Sequence, residues 1–299
     1  DPAQRTALIP TMTTPADFTF IHRLRVRWAE VDGQHVVFNG HYLTYLDVAI
    51  TEFWRHAGLP FPAALAFHQG DMFVRRNLIE YHAPARMDDW LDIGLRCDRI
   101  GHSSITVAWA IWTQGRLLVT GEVVNVYVDV HTRVPQAVPQ GMRDQLDAFA
   151  RGEALYRVEV GNWATLQAGA AAVRQAVFID EQGIPESEEW DADDAEAVHA
   201  VVSNLAGLPL ATGRLIHAGQ EPEHAKIGRM AVLRCSRGTG LGEQVLRALM
   251  DEARRRQLHG IALHAQVNAQ GFYEKLGFVA EGPVFDEVGM PHQRMVIRL

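Results

Sequence analysis

Four strand-like runs follow one another near residues 71–82, 90–100, 103–113 and 116–130, and this succession constrains the first half of the chain more than any other feature. Leu91, Ile93, Leu95 and Cys97 alternate with charged and small residues, the period-2 pattern of a strand with two unlike faces. Gln114-Gly115 makes a tight turn between the last two runs. Upstream, His22, Leu24, Val26 and Trp28 alternate with Arg23, Arg25 and Arg27, which predicts a further strand over 21–28. Leu43, Leu46, Ile50, Phe53, Trp54 and Ala57 then recur at helical spacing behind Asn39, an N-cap residue type, and Gly58 and Pro60 end the helix. Apolar residues cover much of that helix, so it is expected to be largely buried. The order β-α-β-β-β-β reads as α+β, an antiparallel sheet around one long helix.

The pattern changes after a junction at 131–156, where Pro135 and Pro139 break the sheet and residues 140–150 form a short polar helix. Strands near 155–160, 197–204, 209–217, 226–234 and 260–266 then mix with helices near 164–178, 243–256 and 269–276. An acidic loop fills 181–196, and a hairpin around 277–299 closes the chain. Alternating strands and helices predict an α/β unit with a mixed sheet. The expected division is a disordered leader or tag at 1–17, a first domain at 18–140, a linker helix at 141–154 and a second domain at 155–299. The leader holds three Pro and four Thr without periodicity or an apolar core, so it is not a signal peptide, and Met12 is a candidate native start.

With 299 residues, 47% of them hydrophobic, the chain can fill two cores, which excludes a disordered chain or a disulfide miniprotein. No apolar run is long enough to cross a bilayer, and no membrane partner is expected. The net charge is −8 and neither half is basic, so no nucleic-acid partner is expected. Cys97 and Cys235 lie in different halves and read as lone buried thiols, with no zinc site, no other metal and no disulfide framework. That usage fits a reducing, cytoplasmic compartment.

Asp32 lies a short loop ahead of the long helix. A helix start aimed at a thioester carbonyl stabilises the developing oxyanion, and a nearby carboxylate can attack or activate water. By itself such an acid is more often only a helix-capping charge. Arg27, Trp28, Glu30, Asp32, Val36, Val37, Phe38, Asn39 and Tyr42 fall in register, however, with a known pattern. With IEYHAPARMDDWLDI at 79–93 and DRIGHSSITVAWAI at 98–111, the segment resembles the hot-dog acyl-CoA thioesterases of the 4-hydroxybenzoyl-CoA thioesterase and YbgC/FadM type. The resemblance spans about residues 20–140. It implies a hot-dog fold, Asp32 as the catalytic acid, and backbone N–H groups near Asn39, Gly40 and His41 that polarise the thioester. It further implies acyl-CoA as substrate and self-association as a dimer or tetramer. One departure is His35, where that family usually has Gly; it is either a tolerated surface residue or a second acid–base group.

In the second half, Arg237-Gly238-Thr239-Gly240-Leu241-Gly242 follows the strand IGRMAVL (227–233) and precedes a helix. Glycine lets backbone approach an anion, and a helix N-terminus favours negative charge. No Lys-Ser/Thr follows, which excludes a nucleoside-triphosphate loop, and the dinucleotide fingerprint also fails. Arg237, Gly240 and Gly242, with Asn268, Tyr273, Gly277 and Phe278 downstream, resemble the motifs of the GNAT N-acetyltransferases. VRQAVFIDEQGIP (173–185), HAQ (264–266) and VGMPHQRM (288–295) are similar to the ElaA-like branch. This resemblance implies acetyl-CoA held by backbone N–H groups of 237–242, with Asn268 in the binding motif. The pantetheine arm would lie along Met230, Ala231 and Val232, and Tyr273 would protonate the departing thiolate. Glu181, Asp191 and His292 are candidates to accept the proton of an unidentified amine acceptor. His199 and His264 read as core or sheet residues, and most of the acidic run reads as a solvated loop. The whole chain therefore reads as a bifunctional CoA-thioester enzyme. The alternative is an acetyltransferase whose first domain only dimerises or senses acyl-CoA.

Overall fold

The computed structural model describes residues 14–216 and 225–299. The chain divides into two compact units, Asp1–Leu155 and Tyr156–Leu299. Residues 1–13 of the expected leader lie outside the described residues. Its last residues do not form an irregular leader: Pro15–Asp17 is a 3-10 turn capped by Thr14, and Arg96 donates to the Asp17 carbonyl at 3.1 Å.

The first unit contains β1 (Phe20–Arg25), α1 (His41–His56), α2 (Ala63–Phe67), β2 (Gly70–Tyr81), β3 (Trp90–Ile100), β4 (Ser104–Thr113), β5 (Arg116–Asp129) and α3 (Gln140–Arg151). The sheet is antiparallel throughout, in the order β1-β3-β4-β5-β2. Leu91, Ile93 and Leu95 of β3 are fully buried, as their alternation requires. The expected strand 21–28 ends early, because Trp28–Glu30 coils into a 3-10 turn held by the Arg27 N–H on the Glu30 carboxylate (2.8 Å).

The N-cap of α1 is Gly40 rather than Asn39. Nor is α1 buried all round: Tyr42, Tyr45, Leu46, Ala49, Phe53 and Trp54 pack inward, while Leu43 and Val48 stay exposed. The helix expected as a polar linker is amphipathic. Its Met142 and Leu146 are buried, and the Gln145 amide donates to the carbonyls of Ala57 (2.9 Å) and Leu155 (3.1 Å), all within the first unit.

Trp109 is packed over Gly121 of the neighbouring strand, where a Cβ would stand 2.6 Å from the indole Nε1. The indole is fully enclosed and has nowhere to shift. Gly121→Ala is therefore expected to destabilise the first unit by about 1–3 kcal/mol, the usual cost of overpacking. Chemical denaturation checks this, and a change below about 0.5 kcal/mol would contradict the packing described.

The second unit runs β6 (Tyr156–Gly161), α4 (Trp163–Arg174), a π-helical turn (Gln175–Glu181), α5 (Glu186–Glu189), α6 (Asp193–Glu196), β7 (Val198–Asn204), β8 (Pro209–Ile216) and β9 (Ala225–Val232). It continues with α7 (Leu241–Arg255), β10 (Gly260–Gln266), α8 (Gln270–Glu274), β11 (Val279–Ala280), β12 (Phe285–Glu287) and β13 (Met290–Arg298). Its sheet order is β11-β13-β10-β9-β8-β7-β6, with β12 also on β13. The sheet is mixed: β9 and β10 pair in parallel, the others antiparallel. Asn162 caps α4 through its side chain, accepting from the Thr165 N–H at 3.1 Å. The helix expected over 164–178 changes to a π-turn after Arg174.

Glu189, Asp191 and Asp194, in the acidic run expected to be a solvated loop, are instead tied to arginines. Arg174, 1% exposed, binds Glu189 and also Asp194 (2.7 Å). Arg214 binds Asp194 and Asp191, each at 2.6 Å. Arg229 reaches Glu189 (3.0 Å) and Asp191 (3.3 Å). Three guanidinium groups thus face three carboxylates, so burial leaves no net charge uncompensated. Among the described residues Cys97 and Cys235 form no disulfide, both are half-buried, and burial pushes the Cys97 thiol up to about 12.

Candidate functional site

In the first unit the segment 27–42 folds into a small closed loop that delivers an acid to a helix start. Val31 and Val37 form an isolated bridge, the Asp32 N–H donates to the Val36 carbonyl (2.9 Å), and the Phe38 N–H donates to the Glu30 carbonyl (3.0 Å). Two acids sit on this loop, and the structure separates their roles. Glu30 is 3% exposed and accepts from the Arg27 N–H, the Arg27 guanidinium and the Tyr45 hydroxyl (2.7 Å). Burial pushes its carboxyl up, but the bonds from Arg27 and Tyr45 outweigh it and hold the group below the ordinary carboxylate range. With its oxygens committed, Glu30 is an anchor for the loop.

Asp32 is half-exposed, and one oxygen, Oδ1, accepts from the Gln34 N–H at 2.8 Å. His35 stands at φ 60° with an exposed side chain, and its N–H donates to the Asp32 carbonyl (3.0 Å). A left-handed position explains why glycine suits this place, and histidine is among the residues that tolerate it. The His35 side chain therefore points away from the core of the loop rather than filling it.

Of the three expected oxyanion donors, His41 is committed, because its N–H donates to the Phe38 carbonyl at 2.9 Å. Among the described residues, no acceptor is paired with the N–H groups of Asn39 or Gly40. The segment 81–85 clamps this helix start: the Tyr81 hydroxyl donates to the Asn39 carbonyl (3.2 Å), the Ala85 N–H donates to the Tyr42 hydroxyl (2.9 Å) and the Val37 N–H donates to the Ala85 carbonyl (2.9 Å).

In the second unit a cleft opens within the sheet. Parallel pairing of β9 and β10 stops at Ile227 with Leu263, although both strands continue. Immediately beyond, β9 bulges: Thr212 pairs with Ala231 but Arg214 with Gly228, and Arg229 takes φ 51°. Met230, Ala231 and Val232 thus lie on the β9 edge that β10 has left. The glycine turn follows. Gly238 (φ 81°) and Gly240 (φ 84°) are left-handed, and a Cβ on either would meet nothing within 4 Å. Among the described residues, no acceptor is paired with the N–H groups of Gly238, Thr239 or Gly240, and Leu241 and Gly242 begin the 15-residue α7. An open nest of N–H groups at a helix start fits the phosphate oxygens of a CoA-type ligand.

Arg237 does not extend that nest. Its N–H faces the Arg234 carbonyl (3.4 Å), and its guanidinium grips both oxygens of Glu181 at 2.7 Å. Arg237 also holds Glu181 below the ordinary carboxylate range, which removes Glu181 as a ready proton acceptor. Asp191 is lost to that role for the same reason, since the Arg214 guanidinium lowers it. Asn268 is exposed on a 3-10 turn just before α8. Tyr273, 7% exposed, packs against Phe272 and Phe278, and burial raises its phenol to about 12. His292 is buried beside Phe285, and its Nδ1 lies 2.9 Å from the Met290 carbonyl.

His199 is enclosed, with Nε2 2.9 Å from the Asp194 carbonyl, as expected of a core histidine. His264 lies in β10, a sheet residue rather than a core one: it is half-exposed, and its Nδ1 lies 2.8 Å from the Glu287 carboxylate. Sequence reasoning missed this pair. Alternation along His264-Ala265-Gln266 places the two polar side chains on one face, but only the β12–β13 register brings Glu287 to them. Among the described residues, no cluster of three or more His, Cys, Asp or Glu is arranged to hold a metal ion, and no helix is long and apolar enough to cross a membrane.

Comparison with known proteins separates the two halves. Residues 34–120 match the family described as the thioesterase superfamily, and residues 185–299 match the acetyltransferase (GNAT) domain. The chain is similar to YbgC of Escherichia coli O6:H1, an acyl-CoA thioester hydrolase. They are 31% identical over 120 residues, 40% of this chain and 89% of that protein. It is also similar to YjcF of Bacillus subtilis, an uncharacterized N-acetyltransferase, at 34% over 125 residues, 42% of this chain and 86% of that one. Among solved structures, Escherichia coli ElaA shares 24% identity, with 48% of this chain and 99% of ElaA covered and a TM-score of 0.43.

Proposed function

Because this chain belongs to the thioesterase superfamily through its first unit and to the GNAT acetyltransferases through its second, we propose that it is a bifunctional CoA-thioester enzyme. The first unit hydrolyses acyl-CoA, and the second moves acetyl from acetyl-CoA to an amine. One observation carries the reading: each unit presents a helix start with uncommitted backbone N–H groups, at Asn39–Gly40 and at Gly238–Gly240, beside a titratable side chain. YbgC supports the first activity and YjcF the second.

In the first unit the thioester carbonyl lies against the Asn39 and Gly40 N–H groups, and Asp32 attacks it or takes a proton from the attacking water. In the second, CoA phosphates take the glycine nest and the pantetheine arm follows Met230–Val232. The Tyr273 phenol faces the departing sulfur. Its burial keeps it protonated, and so able to donate that proton as the C–S bond breaks.

Self-association supports the first activity. β2 is an edge strand of 12 residues that exposes Phe73, Val74, Leu78 and Tyr81, a surface suited to pairing with a second copy.

The test is thiol release from a panel of acyl-CoAs, with and without primary amines. Release without amine reports the first activity, and amine-dependent release from acetyl-CoA reports the second. Tyr273→Phe is expected to lower the amine-dependent kcat about 10²-fold and leave the amine-independent rate unchanged. No thiol release under either condition would overturn the proposal.

A further inference from the structure

The geometry points to His264, held by Glu287, as the group that takes the proton from the attacking amine in the second unit. This inference rests on the acetyl-transfer reading above and supplies the base that Glu181 and Asp191, each bound to an arginine, do not provide.

Position comes first. Leu263 is the last residue of β10 paired to β9, so His264 stands at the point where the two strands part. This is the cleft that leads to Met230–Val232. His264 shares a face of β10 with Gln266, whose amide reaches Gln182 (3.2 Å) just after the π-turn. It is 31% exposed, open enough to meet a substrate and enclosed enough to be held.

Orientation comes next. The Glu287 carboxylate lies 2.8 Å from Nδ1 and stays ionised, since the bond from His264 holds it below the ordinary carboxylate range. A carboxylate there keeps the proton on Nδ1 and leaves Nε2 as the acceptor. Phe285 packs edge-on against the ring at 4.8 Å and limits its rotation. The other titratable or charged groups near the pair are His292 and Arg294 on β13 and Lys226 on β9. Arg294 is turned to Glu281 (3.0 Å), and the Nδ1 of His292 lies 2.9 Å from the Met290 carbonyl.

The step balances. The amine nitrogen bonds to the acetyl carbon and its proton passes to Nε2 of His264. The C–S bond then breaks, and the sulfur takes a proton from the Tyr273 phenol. Solvent carries the proton from the imidazolium back to the phenolate.

The experiment follows N-acetyl product by mass spectrometry in the full chain, with acetyl-CoA and three primary amines: spermidine, tyramine and the N-terminal amine of the peptide Met-Ala-Ser. His264→Gln is expected to lower kcat about 10²-fold at unchanged KM for acetyl-CoA, and to erase the acidic limb of kcat/KM. Glu287→Gln is expected to lower kcat at unchanged KM for acetyl-CoA, because Nε2 is no longer fixed as the proton acceptor. A residue that only supported the sheet would change the rate and leave the limb in place when replaced.

A His264→Gln enzyme with the wild-type rate and limb would overturn the assignment, as would a wild-type kcat in Glu287→Gln. Should His264→Gln fail to bind acetyl-CoA in a calorimeter, Glu287→Gln decides alone. A wild type that acetylates none of the three amines defeats the acetyl-transfer reading and this assignment with it. A wild type that acetylates, beside an unaffected His264→Gln, defeats the assignment only.

Discussion

Asp32→Ala is expected to lower acyl-CoA hydrolysis about 10²–10⁴-fold while amine-dependent acetyl transfer continues. The size follows from the absence of a substitute on the loop. Glu30 is the other acid there, and its oxygens are engaged by Arg27 and Tyr45. Asp32 also accepts the Gln34 N–H at 2.8 Å, so removing the side chain could loosen the loop as well as remove the charge. Asp32→Asn separates the two effects, since an amide oxygen keeps that acceptor and lacks the carboxylate. Loss in both variants, with the thermal midpoint of Asp32→Asn unchanged, assigns the effect to the charge. Hydrolysis within threefold of wild type in Asp32→Ala would remove Asp32 from the reaction.

Arg174→Ala is expected to destabilise the second unit by about 3–5 kcal/mol, because the three carboxylates Glu189, Asp191 and Asp194 are then left facing only two guanidinium groups, Arg214 and Arg229. The indoles of Trp163 and Trp190 also lose the guanidinium packed over them, at 5.5 and 4.7 Å. Opening is expected first around α4 and the 186–196 segment, read as faster amide exchange there than in the first unit. The double variant Arg174→Met with Glu189→Gln is expected to lose much less, since two guanidinium groups then face two carboxylates. A loss below about 1 kcal/mol in Arg174→Ala would show that Arg214 and Arg229 are enough for all three carboxylates.

Much of the architecture was legible in the residues because strands and helices announce themselves locally. Leu91, Ile93 and Leu95 alternate and are fully buried, and the runs near 90–100, 103–113 and 116–130 became β3, β4 and β5 with small shifts at their ends. The glycine turn could be placed for a similar reason, since left-handed backbone at Gly238 and Gly240 needs that residue type. The acidic stretch was misread. Its charges look like a solvated loop in one dimension, but the arginines that neutralise Asp191, Glu189 and Asp194 come from α4, β8 and β9.

The chain by itself determined the periodic elements, their order, and the acid, glycine and tyrosine positions that carry family likeness, because each depends on neighbours within a few residues. Tertiary structure alone decided which of two loop acids keeps an open oxygen, which carboxylates are consumed by ion pairs, and that His264 meets Glu287. Those outcomes depend on strand register and on the distances between groups far apart in the chain, since a charge or proton acceptor is defined by what stands within about 3 Å of it.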